Sequence, residues 1–399
     1  MIQNNRRVVI VGLGVISSVG IGVESFWNGL ISGKYGGTSV TCFDIARHKT
    51  TIACEVKDIP VPDSDQQLPR MIQLGFLAFD EAFKTAGVNF NNLDETSLGL
   101  SIGIGAGSQL ESEIFYRKLI NNQKNSRLIR YAPMNSLADF LARRFQITGP
   151  RMTICTACSS STAAIGAAYD QIKVGRSEMM IAGGTEALSE VTFGGFNSMR
   201  VISDDICQPF DLNRKGIILG EGAAFLVLEE LEHAKHRGVR IFGEVLGYGI
   251  DNDAYHITAP EAGGVAKAIN SALHNANVTV NDIDYINVHG TGTIHNDLAE
   301  TKAIKNVFGE QAYRLKLSSN KSMIGHCLGA AGAIEAVATV LSINHQLIPP
   351  TINYQHPDSE CDLDYVPNEA QILDIRYALS NSLAFGGNNA ILVIGRMEK

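Results

Sequence analysis

The 399-residue chain carries the same local pattern twice, and this repetition constrains its fold more than any other feature. In Gly220-Glu221-Gly222-Ala223-Ala224-Phe225-Leu226-Val227-Leu228 a glycine turn feeds an apolar strand. Phe385-Gly386-Gly387-Asn388-Asn389-Ala390-Ile391-Leu392-Val393 does the same. Ile154 to Ala167 and Leu317 to Ala333 each run strand, polar loop, then small-residue helix. Short apolar segments at Arg7–Val11, Leu98–Ile104, Met152–Cys155, Met179–Ala182 and Ala224–Leu228 alternate with amphipathic stretches such as Met71–Ala86 and Ser160–Val174. The alternation restarts with strand Arg240–Val245 and helix Gly264–Ala276. Strands Tyr285–Val288 and Leu315–Ser318, helix Ala330–Ile343 and strand Ala390–Ile394 follow. Strands alternating with helices predict an α/β architecture with mostly parallel sheets. Two related halves are expected, residues 1–238 and 239–399, meeting near Glu232–Arg240. Gly12-Leu13-Gly14 reads as a turn closing the first strand.

Charge and hydropathy narrow the function classes. A formal net charge of −8 argues against general nucleic-acid binding, which needs a basic face. The first apolar run, Val8 to Val11, ends at Gly12, and no run of 18 apolar residues occurs, so no membrane association and a cytoplasmic location are expected. Seven cysteines without regular spacing fit reduced thiols rather than a disulfide framework.

Three stretches carry chemistry. In Ile154-Cys155-Thr156-Ala157-Cys158-Ser159-Ser160-Ser161-Thr162-Ala163-Ala164 a strand ends, a cysteine follows and a helix begins. Free N–H groups and the helix dipole at that point are expected to favour a Cys158 thiolate, a nucleophile. Cys155, one pleat back, reads as a structural thiol. Cys155-x-x-Cys158 as a redox or zinc motif is the alternative, although no second CxxC exists. Val288-His289-Gly290-Thr291-Gly292-Thr293 sets a histidine at a strand end, facing a cleft. In Lys321-Ser322-Met323-Ile324-Gly325-His326-Cys327-Leu328-Gly329-Ala330-Ala331-Gly332 a lysine and a histidine precede a helix of small residues. No metal set stands out, since His233 and His236 read as surface residues of a charged helix, and no cofactor is expected. Gly12-x-Gly14-x-x-Ser17 lacks the third glycine of a dinucleotide fingerprint.

Taken together, Thr156-Ala157-Cys158, the His289-Gly-Thr-Gly-Thr run and Lys321-Ser-Met-x-Gly-His326-x-x-Gly-Ala-Ala-Gly resemble the active-site signatures of β-ketoacyl-[acyl carrier protein] synthases. Gly183-Gly184-Thr185-Glu186, Pro209-Phe210-Asp211-x-x-Arg214-x-Gly216 with Gly220-Glu221-Gly222-Ala223, and Asn381-Ser382 with Phe385-Gly386-Gly387-x-Asn389 match in order. The order cysteine, histidine, histidine resembles synthase types I and II. The resemblance implies a thiolase-like duplicated α/β/α/β/α five-layer fold and a dimer. It implies a 3-oxoacyl-[acyl-carrier-protein] synthase of type II, or the catalytic ketosynthase of a type II polyketide or aryl-polyene system paired with a chain-length factor. A non-catalytic chain-length factor is disfavoured because Cys158 is retained. Cys158 would carry the acyl group, with His289 and His326 on the malonyl thioester. The N–H groups of Cys158 and Phe385 would form the oxyanion hole. Lys321 with Glu335 would order the site, and Thr291 and Thr293 would contact the pantetheine arm of an acyl carrier protein. Arg200 and Arg70 fall where the family docks its carrier, with Arg127 and Arg130 nearby. Ser159-Ser160-Ser161 and Asn388 depart from the usual family residues. Ala106 and Ala132 stand where bulkier residues often bound the acyl pocket, which implies a roomier one.

Overall fold

The computed structural model describes residues 6–88, 98–123 and 128–397. Its principal strands are β1 (Val8–Ser17), β2 (Leu98–Gly103), β3 (Arg151–Ile154), β4 (Met179–Glu186), β5 (Gly222–Glu230), β6 (Gly243–Asn252), β7 (Tyr285–Asn287), β8 (Lys316–Ser318), β9 (Tyr377–Leu383) and β10 (Asn388–Gly395). They hydrogen-bond in the order β8-β7-β9-β10-β6-β1-β5-β4-β2-β3. Cut between β6 and β1, this order reads as one unit built twice: β1, β5, β4, β2, β3 match β6, β10, β9, β7, β8. Pairing senses match as well. The β1–β5, β6–β10, β5–β4 and β10–β9 pairs are antiparallel, whereas β4–β2, β9–β7, β2–β3 and β7–β8 are parallel. The segments that matched in sequence fall on equivalent elements, β5 with β10 and β3 with β8. β1 and β6 join the halves through Val8 to Ile10 alone.

The sheet is therefore mixed, not mostly parallel as the strand–helix alternation suggested. A four-residue turn, 384–387, joins β9 to β10, and so short a link can only return the chain antiparallel. The glycines at 12 and 14 are also not a turn. β1 runs through them with a bulge between Ile10 and Gly12. A Cβ at either glycine would collide with a carbonyl oxygen (Ala82 or Ala78) of the helix α1 (Arg70–Thr85) lying on this strand. Glycine lets helix and strand approach closely here.

The remaining helices that matter are α2 (Ser136–Arg144), α3 (Ser160–Lys173), α4 (Glu190–Ser198), α5 (Ala262–Ala276), α6 (Ile294–Phe308) and α7 (Ala331–His345). α3 and α7 pack on each other and touch strands of both halves, forming the middle layer. α1 and α2 cover the outer face of one half, and α5 and α6 that of the other. Every residue of α7 from Ala331 to Ile343 is buried, as expected of a helix apolar all round. Its small residues allow the close approach, for a Cβ at Gly332 would strike Thr162 of α3. Helix α6 escaped the periodicity reading because its buried face includes Asn296, Asp297, Glu300 and Thr301. Those polar residues are spent on the site below.

Candidate active site

Cys158 sits in a tight turn, Ala157–Ser159, that leads directly into α3. Ala157 is held at φ 52, in the left-handed region that non-glycine residues rarely adopt. Such strain persists only where neighbours over-determine it, and the serine run does so. The Ser160 hydroxyl accepts the Thr156 N–H at 2.9 Å and donates to the Ala157 carbonyl at 2.6 Å. Ser159 donates to the Thr156 carbonyl at 2.9 Å, and Ser161 accepts the Ala333 N–H of α7 at 2.9 Å. The serines that depart from the family pattern thus build the nucleophile turn and tie it to the second half.

The two histidines arrive from that second half. His326 Nε2 lies 3.0 Å from Cys158 Sγ, and its ring meets that of His289 edge-on with centroids 5.2 Å apart. The Leu328 N–H donates to His326 Nδ1 at 3.3 Å, so the ring proton resides on Nε2 and points at the sulfur. Burial, then the nearby Lys321 cation, push both histidines well below their usual range, so both are neutral N–H donors. Lys321 is buried and ion-paired with Glu335, so the expected pair is present. The loop bearing His289 is gripped by its own helix. Glu300 accepts the N–H groups of His289 (2.8 Å) and Gly290 (2.9 Å), and Asp297 accepts those of Thr291 (3.1 Å) and Gly292 (3.3 Å). Sequence reasoning missed both carboxylates. Their spacing, three apart just beyond the Gly-Thr-Gly-Thr run, was the available signal.

The electrostatics of the nucleophile correct one expectation. Burial pushes the Cys158 thiol up to about 12, while Lys321 and a hydrogen bond from the Phe385 N–H pull the other way. Burial thus opposes the thiolate that the helix start was expected to favour. The donors around it act as negative charge develops.

A cleft opens onto Cys158, His289, His326 and Phe385, with Thr291 and Thr293 on its wall, their hydroxyls 2.9 Å apart. The Phe385 ring stacks on Phe196 of α4, centroids 5.6 Å apart, across the same cleft. Ala106 does not line it; this half-buried residue donates its N–H to Glu186, and Ala132 is half-buried beyond. Arg200 is exposed just past α4, beside Arg47, Lys49 and Lys215, which sequence reasoning did not connect with it. Arg70 is no free surface charge. Its guanidinium is bound to the fully buried Glu221 (2.8 Å) and to the Val56 carbonyl (2.6 Å), so its place in the docking set is withdrawn. Arg130 is exposed with its guanidinium over the Tyr131 ring, 4.7 Å from the centroid, and Arg127 lies outside the described residues. Cys155 is exposed and unpaired, which leaves no disulfide with Cys158.

A buried thiol 3.0 Å from one neutral histidine, with a second histidine against that ring and a backbone N–H on the sulfur, is an arrangement suited to acyl transfer. Comparison with known proteins supplies the family. The profile described as "Beta-ketoacyl synthase, N-terminal domain" matches residues 5–234, and "Beta-ketoacyl synthase, C-terminal domain" matches residues 242–355. The chain belongs to the β-ketoacyl synthase family. It is 41% identical to the 3-oxoacyl-[acyl-carrier-protein] synthase 2 of Staphylococcus aureus (strain N315), over 99% of this chain and 100% of that one. It resembles the ishigamide ketosynthase/chain length factor structure at 38% identity with a TM-score of 0.94, covering 98% of this chain and 100% of that one. A type II PKS ketosynthase solved with its acyl-carrier protein and bound to the hexaketide follows at 33% identity and TM-score 0.90, with the same coverages. Among the described residues, no helix is long and apolar enough to cross a membrane.

Proposed function

We propose that this enzyme is a type II 3-oxoacyl-[acyl-carrier-protein] synthase acting in the cytoplasm, and that Cys158, His289 and His326 perform its decarboxylative condensation. The observation that carries this reading is the 3.0 Å contact between His326 Nε2 and Cys158 Sγ, with His289 alongside. In the first half-reaction the Cys158 sulfur attacks an acyl thioester and its proton passes to the departing carrier thiol. The oxyanion forms against the N–H groups of Cys158 and Phe385. In the second, malonyl carrier loses carbon dioxide and the electron pair becomes an enolate. Its oxygen accepts hydrogen bonds from the two histidines. The enolate carbon attacks the acyl-Cys158 carbonyl, and collapse returns the Cys158 thiolate, which takes up one proton from solvent as the 3-oxoacyl carrier leaves. Thr291 and Thr293 on the cleft wall suit contact with the pantetheine arm. The likeness to a ketosynthase/chain length factor structure favours a second reading, the catalytic subunit of a polyketide or polyene system. Either reading includes a dimer, through a copy or through a chain-length-factor-like partner. β3, one of the two terminal strands of the sheet, has an outer edge with no strand partner among the described residues and could serve it.

Acyl length separates the two readings. Intact mass after incubation with a panel of acyl carrier proteins should show an adduct on Cys158, and a polyene enzyme should accept long or rigid unsaturated chains. Ala106 lies off the cleft that opens onto Cys158, but the family resemblance sets it against the acyl chain, and on that reading Ala106→Ile overpacks the acyl pocket at about 1–3 kcal/mol, a loss of roughly 5- to 150-fold for long donors with short ones nearly unaffected. A uniform loss at every length removes Ala106 from the pocket wall.

Docking gives a further test. The carrier expected here is acidic and the enzyme carries −8, so a local basic patch must overcome the repulsion. Arg200 with Arg47, Lys49 and Lys215 supplies one, and Arg130 is a second candidate. Arg200→Glu should raise the apparent KM for carrier-bound substrate about 5- to 10-fold, the scale of reversing an exposed ion pair, with little change for small thioester mimics. Equal effects on both substrates rule out docking at this patch.

A further inference from the structure

The Gly183-Gly184-Thr185-Glu186 run takes no part in the chemistry above, yet Glu186 is fully buried within the site's framework. Its carboxylate accepts four backbone N–H bonds. Gly105 (2.8 Å) and Gly329 (3.1 Å) donate to Oε2, and Ala106 (2.9 Å) and Gly107 (3.1 Å) to Oε1. The donors belong to two turns in direct contact, for a Cβ on Gly329 would collide with the Gly105 N–H. The turn at 105–107 continues from β2 and abuts the helix that follows Cys158, where the Ser160 hydroxyl lies 3.2 Å from the Ile104 carbonyl. The turn at 328–329 ends the loop that carries His326. There Leu328 stands at φ 46 while its N–H holds His326 Nδ1. A strained residue next to the histidine's anchor needs a rigid neighbour, and the Gly329–Glu186 bond is that neighbour.

We propose that Glu186 is a positioning residue for the condensation. Its carboxylate locks the 105–107 turn to the His326 loop, and so fixes the His326 ring against Cys158. The inference rests on the reading of His326 as an enolate donor. A glutamine cannot replace the carboxylate. It offers one acceptor oxygen to four donors and points its own NH2 at the others. The Phe385 N–H lies outside this clamp, and the turn bearing Cys158 is held chiefly by its own serine hydrogen bonds, so the two half-reactions should respond differently.

The test measures both half-reactions in full-length Glu186→Gln, with thermal melting to establish folding. Carbon dioxide release from malonyl carrier should fall about 10- to 100-fold, the usual cost of losing a hydrogen-bonded support, while Cys158 acylation changes by less than about 3-fold. Glu186→Asp, which keeps the charge with a shorter reach, should recover part of the decarboxylation. His326→Ala is assayed alongside. Wild-type decarboxylation in His326→Ala overturns the reading of His326 itself. A defective His326→Ala beside a Glu186→Gln that decarboxylates normally, or that loses both half-reactions equally, overturns the positioning role. Should Glu186→Gln fail to fold, the same two rates are read on Glu186→Asp with the same criteria.

Discussion

Cys158→Ala is expected to abolish acyl transfer, by about four orders of magnitude or more, while the protein still folds. Deleting the nucleophile of a covalent mechanism removes the step itself, and comparable deletions in other enzymes cost about 10⁶-fold. The structural cost is small. Cys158 is 5% exposed and loses one sulfur against His326 and the Phe385 N–H, worth about 1 kcal/mol on the scale of one buried methylene. Mass spectrometry of the wild type with an acyl donor should place the adduct on Cys158, and the alanine variant should show none at an unchanged melting temperature. An adduct on Cys155, which is exposed and close by, would refute the assignment.

The second large effect concerns the histidines. His289→Ala and His326→Ala should each slow malonyl decarboxylation about 10²- to 10³-fold, the cost of removing one preorganised donor to an oxyanion. Self-acylation of Cys158 should survive in part, because the Cys158 and Phe385 N–H groups remain. Burial and Lys321 disfavour the charged form of both rings, so each donates a hydrogen bond to the enolate as a neutral imidazole. Release of radiolabelled carbon dioxide measures the first half of this claim and intact mass the second. Decarboxylation retained in both variants would remove the histidines from the enolate site.

The legible parts of this protein were those written locally. A glycine turn feeding an apolar strand is visible within nine residues, so the match of 220–228 with 385–393 located equivalent strands of the two halves. Cys158, His289 and His326 stood in runs whose turn chemistry is also local, and Lys321 and Glu335 came with them. The misreadings share one cause. Whether Gly12 and Gly14 make a turn or admit a helix depends on α1, more than 50 residues away, and its Ala78 and Ala82 carbonyls decide it. Arg70 looked like surface charge because its partner, Glu221, lies 151 positions along the chain.

Read alone, the chain already gave the duplicated α/β plan and the runs that hold Cys158, His289 and His326, since periodicity and turn residues act over a few positions. The electrostatic state of those residues depends on contacts that only folding makes. Burial pushes the Cys158 thiol up and both histidines down from their ordinary ranges, and no stretch of sequence records how much water its neighbours exclude. Nor does sequence record which backbone N–H groups a buried carboxylate gathers. Asp297 and Glu300 hold N–H groups only a few positions away, whereas Glu186 became a support of the site only once folding brought turns from distant positions within 3.1 Å of its oxygens.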